Sequence, residues 1–459
     1  MKKTKILATI GPSSIDKKIM KKMIDVGMNA IRINTSHGNF EQYEKIIKNL
    51  RSIKDIPIVL DTQGPEIRLV SKKKYDVNIG KKVTIGFSDE SETYFTKNFS
   101  QQVKKGDSVY VEDGILNLKV IEVKDNALYL VALTEGRIRN GARVNIPEVN
   151  YDKDILSKND KKVIKFGIKN NVDFIALSYT RDAKDVNYLR RKLENSDIGI
   201  ISKIENSKGV ENIDEIIEVS EGIMVARGDL GVEISSEKLP LIQKKIIKKC
   251  NQKGKLVIIA TQMLKSMENS SIPTRAETSD VANAILDGTD VVMLSGETAV
   301  GKFPRLAVKE MSEIAKEIEG SVKSNVVIDS CNTISEAISK SVYDMTKILP
   351  ISKVISFTRT GWTAKIISRF RLDVPILAIA SDNKVKNKLQ LYYGVESIVF
   401  PDMPTSQRIK KVTMLLYKKE IVKSTELLLF SGGVLIKKQG STNLIEVHRC
   451  KDILEINRK

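Results

Sequence analysis

The sequence predicts an α/β chain built on a (β/α)8 TIM barrel, with an inserted all-β lid domain and a C-terminal α/β domain. Three observations carry this. Eight short apolar segments begin near Lys5, Ala30, Ile56, Asp173, Gly199, Gly222, Leu256 and Val291, and polar residues and an amphipathic stretch at helical spacing recur between them. From Leu69 to Asn150 that repeat stops and residues alternate in twos. After about Ser321 strands and helices return in a new arrangement. A chain of 459 residues has room for two to four domains.

The barrel segments are near-continuous apolar runs, such as Leu256-Val257-Ile258-Ile259-Ala260. Strands buried on both faces in a helix-covered parallel sheet have this composition. Stretches such as Val186 to Asn195 and Lys238 to Asn251 fit the helices between them. The middle segment contains Asp107-Ser108-Val109-Tyr110-Val111-Glu112 and turn signals at Asp113-Gly114 and Asp125-Asn126, so it is expected as a β insertion after the third barrel strand. In the last part, Val354 to Phe357, Ile376 to Ala380, Ser397 to Phe400 and Leu427 to Phe430 are the expected strands. The boundaries drawn are 1–69 and 151–322 for the barrel, 70–150 for the inserted β domain, and 323–459 for the C-terminal α/β domain.

Composition narrows the function classes. The chain is 41% hydrophobic and 29% charged, which suits a soluble globular protein. No apolar run reaches membrane-spanning length, and no membrane partner is expected. The basic start, Met1 to Lys5, precedes only a short apolar run to Pro12 without a cleavage pattern. Cys250, Cys331 and Cys450 lie far apart, which argues against a disulfide framework and for a reducing compartment. The net charge of +19 is spread over lysine pairs such as Lys161-Lys162 and Lys244-Lys245, with acidic residues between and one tryptophan in the chain. Such dispersed charge lacks the localised footprint of a nucleic-acid binder, but still attracts polyanionic metabolites.

Active sites of such barrels form at the C-terminal strand ends. Strand two ends in Arg32, Asn34, Ser36, His37 and Gly38; strand three in Asp61, Thr62, Glu66 and Arg68; strand five in Lys203 and Glu205. Strand six ends in Ala226-Arg227-Gly228-Asp229, strand seven in Thr261-Gln262 and strand eight in Ser295-Gly296-Glu297. Burying so many charges at one mouth without ligands would be costly. Glu205 and Asp229 are hard oxygen donors suited to Mg²⁺, and Lys203 shares a strand face with Glu205. Arg32 and Arg68 suit phosphate oxygens, while Asn34, Ser36, Asp61 and Thr62 could cage a monovalent cation. Singly, each has a structural alternative: an ion pair for Lys203–Glu205, a helix cap for Asp229, Asn34 or Ser36, and a structural His37. Asp280 stands outside the proposed constellation. Taken alone, this chemistry indicates a metal-assisted enzyme acting on a phosphorylated or enolisable small acid.

At these residues the chain closely resembles the pyruvate kinase family. The matching segments include Thr4 to Ser14, Ser36-His37-Gly38, Asp61-Thr62-Gln63-Gly64-Pro65-Glu66-Ile67-Arg68 and Ile201-Ser202-Lys203-Ile204-Glu205-Asn206. Gly222 to Gly231, Ala260 to Met267 and Pro273 through Ala299 extend the match. The resemblance implies phosphoryl transfer from phosphoenolpyruvate to ADP, the final step of glycolysis, in a cytoplasmic homotetramer. It implies that Arg32 and Lys203 hold the phosphoryl group, and that Glu205 and Asp229 bind Mg²⁺ (or Mn²⁺). Asn34, Ser36, Asp61 and Thr62 would coordinate K⁺. The backbone of Ala226, Arg227 and Gly228 and the Thr261 hydroxyl would take the substrate carboxylate. Asn34, His37 and Arg68 would meet the nucleotide, and Ser295 would lie on the route that protonates the enolate.

The resemblance also implies an effector-phosphate loop at Thr358, Thr360, Gly361 and Thr363, for a sugar phosphate or a nucleotide, with a helix cap as its alternative. Gly440 to Ile445 resembles the family's final turn and strand, and the stretch before it is shortened. Departures from the family pattern are Thr35 for Phe, Gln63 for Lys, Leu69 for Thr, and Lys265 for Glu. Thr62 and Glu66 keep the K⁺-type pattern, with Glu66 expected to add negative charge to the mouth. A lysine usual where the lid rejoins the barrel aligns with Ala142, leaving Arg139 or Arg143 as substitutes. A metal-dependent enolate-forming lyase or aldolase on a similar barrel would need neither the lid nor the Arg32–His37 cluster. Intact Lys203, Glu205, Asp229 and Thr261 argue against a non-catalytic relative.

Overall fold

A computed structural model describes residues 2–112, 114–147, 154–194, 196–328, 331, 333–401, 405–433 and 442–455. Asp113 of the expected lid turn, and Gly440 and Ser441 of the expected final turn, lie outside the described residues.

Eight parallel strands close into a barrel: Lys5–Thr9, Ala30–Asn34, Ile58–Asp61, Phe174–Leu177, Gly199–Ile204, Gly222–Ala226, Leu256–Ala260 and Val291–Leu294. The first pairs with both the second and the eighth, which completes the ring. Expected starts at Ile56 and Asp173 fall within two residues of the observed ones. Residues of alternating parity enter two different buried clusters. Leu7, Ala30, Val59, Ala176, Ile201, Met224 and Met293 fill the barrel interior. Their neighbours Ile6, Ile31, Leu60, Ile175, Ile200, Val225 and Val292 pack outward against helices. Both faces are therefore apolar, as the unbroken hydrophobic runs required.

The outer helices follow their capping signals. Asn39 accepts the Gln42 N–H ahead of Phe40–Arg51, and Ser157 with Asp160 forms a capping box ahead of Lys158–Lys169. The cap at the first of these helices is thus Asn39, and neither Asn34 nor Ser36 is spent on it.

Between the third and fourth barrel strands the chain makes a second, seven-stranded closed barrel with its own apolar core. Its first strand, Ile67–Ser71, pairs antiparallel with its last, Arg143–Asn145. The C-terminal domain is a five-stranded sheet in which Ile351–Thr358 lies central, Ile376–Ala380 and Val395–Val399 extend one side in parallel, and Leu427–Gly432 leads to an antiparallel edge, Leu444–Arg449. Helices Ile334–Ile348 and Trp362–Ser368 and the helix Thr405–Lys418 complete its layers.

Candidate active site

The inward parity that packs the barrel core places the polar groups two residues later at the mouth. Leu7, Ala30, Val59, Ala176, Ile201 and Met224 are followed by Thr9, Arg32, Asp61, Ser178, Lys203 and Ala226. Arg32, 8% exposed, donates from Nε to Asp61 Oδ2 at 2.6 Å and from Nη1 to Thr9 Oγ at 3.0 Å. Lys203 Nζ stands 3.1 Å from Asp61 Oδ1 and 2.8 Å from Glu205 Oε1, and donates to Ser178 Oγ at 2.8 Å. The single Ser178 hydroxyl proton is within reach of the Thr62 carbonyl at 2.6 Å and of Asp61 Oδ1 at 3.2 Å. The Tyr179 N–H is held by Glu205 Oε2 at 2.7 Å, with Tyr179 at φ +56°.

These contacts set the charge states. Burial pushes the Asp61 carboxyl up, but Arg32 and Lys203 together hold it below the usual carboxylate range. Burial pulls the Lys203 ammonium down, yet Asp61 and Glu205 keep it above its ordinary value. Glu205 is pushed up by burial, and nearby Asp229 adds to this against the pull of Lys203. The barrel wall thus gathers three carboxylates, Asp61, Glu205 and Asp229, around two cations, Arg32 and Lys203. The shortfall lies on the Glu205–Asp229 side, where a hard divalent cation fits the all-oxygen donor set.

Asp229 sits in the first turn of the short helix Arg227–Glu233, which has no side-chain cap, so its carboxylate is available for other work. It receives Arg143 Nη1, from the last lid strand, at 2.6 Å. Thr261 and Gln262 both have positive φ, +69° and +54°, at the end of strand seven. Arg227 braces that bend by donating to the carbonyls of Thr261 and Gln262, while Asp280 holds its guanidinium at 2.7 Å. The Gly228 N–H donates to Thr261 Oγ at 2.7 Å, and a Cβ at Gly228 would come within 3.4 Å of that oxygen. Ser295 follows the inward Met293, and its buried hydroxyl has no hydrogen-bond partner among the described residues.

The family models for the pyruvate kinase barrel domain and the pyruvate kinase alpha/beta domain match residues 1–308 and 336–448. This chain belongs to the pyruvate kinase family. It is 40% identical to the pyruvate kinase of Geobacillus stearothermophilus, covering 99% of this chain and 81% of that one. It is likewise 40% identical to the pyruvate kinase of Thermococcus litoralis, over 97% and 98% of the two chains. The crystal structure of a pyruvate kinase from Cryptosporidium parvum superposes with a TM-score of 0.90 at 34% identity, covering 98% and 96%.

Against the family pattern, the geometry sorts the departures. Thr35, where Phe is usual, is buried and donates its hydroxyl to the Asp61 carbonyl at 2.7 Å, tying strand two to strand three. Leu69 is buried in the lid core. Lys265 is exposed and pairs with Glu268 at 2.6 Å. Arg139 pairs with Glu112 in the lid, whereas Arg143 enters the mouth. Two expectations change. Glu66 is not an uncompensated charge: Arg68 forks onto its Oε2 at 2.9 and 2.6 Å, and Arg143 lies 3.5 Å from Oε1. Asp280 is tied to the site through Arg227, so it does not stand outside it.

Three of the four residues considered for a monovalent cation are chemically suitable but have oxygens already engaged. Asn34 Oδ1 accepts the Ser36 N–H, Asp61 is shared between Arg32 and Lys203, and the Thr62 hydroxyl accepts the Ser178 N–H. His37 stands at this rim, where partial desolvation and then the neighbouring Arg68 lower its pKa below the ordinary histidine value. In the C-terminal domain, Gly361 takes φ +87° just before the short helix and Thr360 is exposed. Thr358 is buried, and Thr363 is buried and shares a hydrogen bond with Thr442 at 2.8 Å. Ser178, Thr9 and Tyr179 were not picked out by motif reading, and Arg143 was named only beside Arg139 as a substitute for the lysine missing at Ala142. The first two carry the same two-residue parity signal as Lys203, while Arg143 reaches the mouth only through the fold of the lid.

Proposed function

We propose that this chain transfers the phosphoryl group of phosphoenolpyruvate to ADP, giving pyruvate and ATP, with the C-terminal barrel mouth as its site. The observation that carries this is the buried Lys203 ammonium held between Asp61 and Glu205, with Arg32 and Asp229 at the same mouth. Arg32 and Lys203 hold the phosphoryl oxygens while the bond from phosphorus to the enol oxygen breaks and a bond to an ADP phosphate oxygen forms. Lys203 then stabilises the enolate. The proton that converts it to pyruvate arrives on the side of Ser295. The Thr261 hydroxyl and the backbone of Ala226, Arg227 and Gly228 orient the substrate carboxylate.

Glu205 and Asp229 would hold Mg²⁺ or Mn²⁺, which supplies charge neutralisation for substrate oxygens when bound. Asn34, Ser36, Asp61 and Thr62 are the K⁺ donors in this reading, and Asn34, His37 and Arg68 meet the nucleotide. The domain limits of 1–69, 70–150, 151–322 and 323–459, a cytoplasmic location, a homotetramer and an effector loop at Thr358, Thr360, Gly361 and Thr363 belong to the same proposal. A coupled assay of pyruvate release from phosphoenolpyruvate and ADP tests it, with and without Mg²⁺. Parallel runs replace K⁺ by a bulky organic cation at equal ionic strength, and add sugar phosphates or AMP. Formation of pyruvate only when both ADP and a divalent cation are present is the expected result. No pyruvate under any of these conditions would overturn the reading.

A further inference from the structure

The lid contributes one side chain to the barrel mouth that its own fold does not require. Arg143 begins the last lid strand, Arg143–Asn145, and its register partner is Arg68 on the first. Its side chain, 28% exposed, leaves the lid and crosses to the barrel, where Nη1 meets Asp229 Oδ1 at 2.6 Å and Nη2 lies 3.5 Å from Glu66 Oε1. A charge-assisted contact this short and this sheltered is among the stronger hydrogen bonds a protein makes. It also answers the charge count of the wall. Asp61, Glu205 and Asp229 outnumber Arg32 and Lys203 by one, and Arg143 is the cation that makes up the difference.

We infer that Arg143 is a lid-borne competitor for the divalent cation: its guanidinium draws on the Asp229 carboxylate, and its hold there weakens when a metal ion binds the same group. The inference rests on the reading of Asp229 as a metal ligand. Two positive charges on one carboxylate repel each other and share its lone pairs, so metal entry and the lid contact are linked in a single equilibrium. Glu66 gives the displaced guanidinium a carboxylate to fall back on, 3.5 Å from where it already is. The lid contact to the barrel at Asp229 is then stronger before the metal binds than after it, when Arg143 leans toward Glu66 at the lid junction. Through this exchange the chain sets its own divalent-cation affinity, and Arg143 is a positioning residue acting through Asp229.

The test is direct Mn²⁺ binding to the full-length protein, read from the loss of the free-ion electron paramagnetic resonance signal without substrates. Arg143→Gln should bind Mn²⁺ more tightly than wild type, on the order of tenfold, the worth of one charge-assisted hydrogen bond to a sheltered carboxylate. Arg143→Lys, which keeps the charge but loses the planar fork, should fall between the two. Asp229→Asn should abolish the tight site in either background. Unchanged or weaker Mn²⁺ binding in Arg143→Gln, with the site still lost in Asp229→Asn, would overturn the competition while leaving the metal assignment standing. Undiminished binding in Asp229→Asn would remove the metal assignment itself, and the competition with it.

Discussion

The two ends of the large barrel both bury charged side chains, and they do so in opposite ways. At the mouth, Lys203, Asp61, Glu205, Arg32 and Asp229 take much of their satisfaction from one another and from the side chains of Ser178 and Arg143. At the other end, against the C-terminal domain, Arg371 and Asp290 form a pair at 3.0 Å that is embedded in backbone. Arg371 donates to the carbonyls of Gly288 and Ser368 and to Asn251 Oδ1. Asp290 accepts the N–H groups of Tyr393 and Val257. Backbone partners are fixed by the fold and cannot be exchanged. Side-chain partners can turn aside when a ligand offers the same charge. Burial of charge is therefore a poor sign of function by itself; the identity of the partners is the better sign.

The contrast can be broken by crossed mutations. Asp229→Asn should cut kcat by roughly 10²–10³-fold, about 3–4 kcal/mol of barrier, while the melting curve followed by circular dichroism stays near wild type. Arg371→Met should do the reverse. Leaving Asp290 buried without its cation costs about 3–5 kcal/mol of stability, measurable by urea denaturation, while the kcat of the folded enzyme is retained. A large loss of turnover in Arg371→Met would show that the two ends are not separable in this way.

A third measurement sharpens the comparison by pH. Asp173, at the non-catalytic end, is pushed up by burial to about 6 despite accepting the Ile58 N–H at 2.8 Å. A carboxyl raised in the folded state binds its proton more tightly folded than unfolded. Its contribution is fully favourable below the unfolded value near 3.8 and is lost as pH rises to about 6. Asp173→Asn lacks this loss, so its stability relative to wild type should improve from pH 4 to pH 7, by up to about 3 kcal/mol. A difference that is flat with pH would show that Asp173 titrates normally. The smallest effect is expected at Lys265, whose pair with Glu268 is exposed. Lys265→Ala should change stability by less than about 0.5 kcal/mol and leave kcat unaltered, although the position departs from the family pattern.

The barrel was legible because strands such as Leu256–Ala260 are apolar on both faces and have no other plausible place. Lys203, Glu205 and Asp229 were legible because charge at the end of such a strand is costly without a purpose. Ser178 was passed over, since a serine after Leu177 looks like any strand end until its parity with Ala176 is followed. Arg143, Asp280 and the neutralisation of Glu66 depend on distances between segments far apart in the chain, and no local pattern encodes those. The Arg371–Asp290 pair was invisible for the same reason.

The pairing of the lid's first strand with its last has a consequence for how the chain reaches this structure. Thr62 and Ala176 are hydrogen-bonded neighbours 114 positions apart, and Thr9 and Leu294 are bonded across 285. Closing such spans from an open chain is slow, because the entropy of the loop is lost before the contact forms. The antiparallel register of Ile67 with Val144 draws the two ends of the insertion together as soon as the lid folds. Barrel strands three and four then behave as if joined by an ordinary strand–helix–strand connection through Lys158–Lys169. A self-closing insertion of this kind lets the nascent chain finish one small domain during synthesis without delaying the larger one around it.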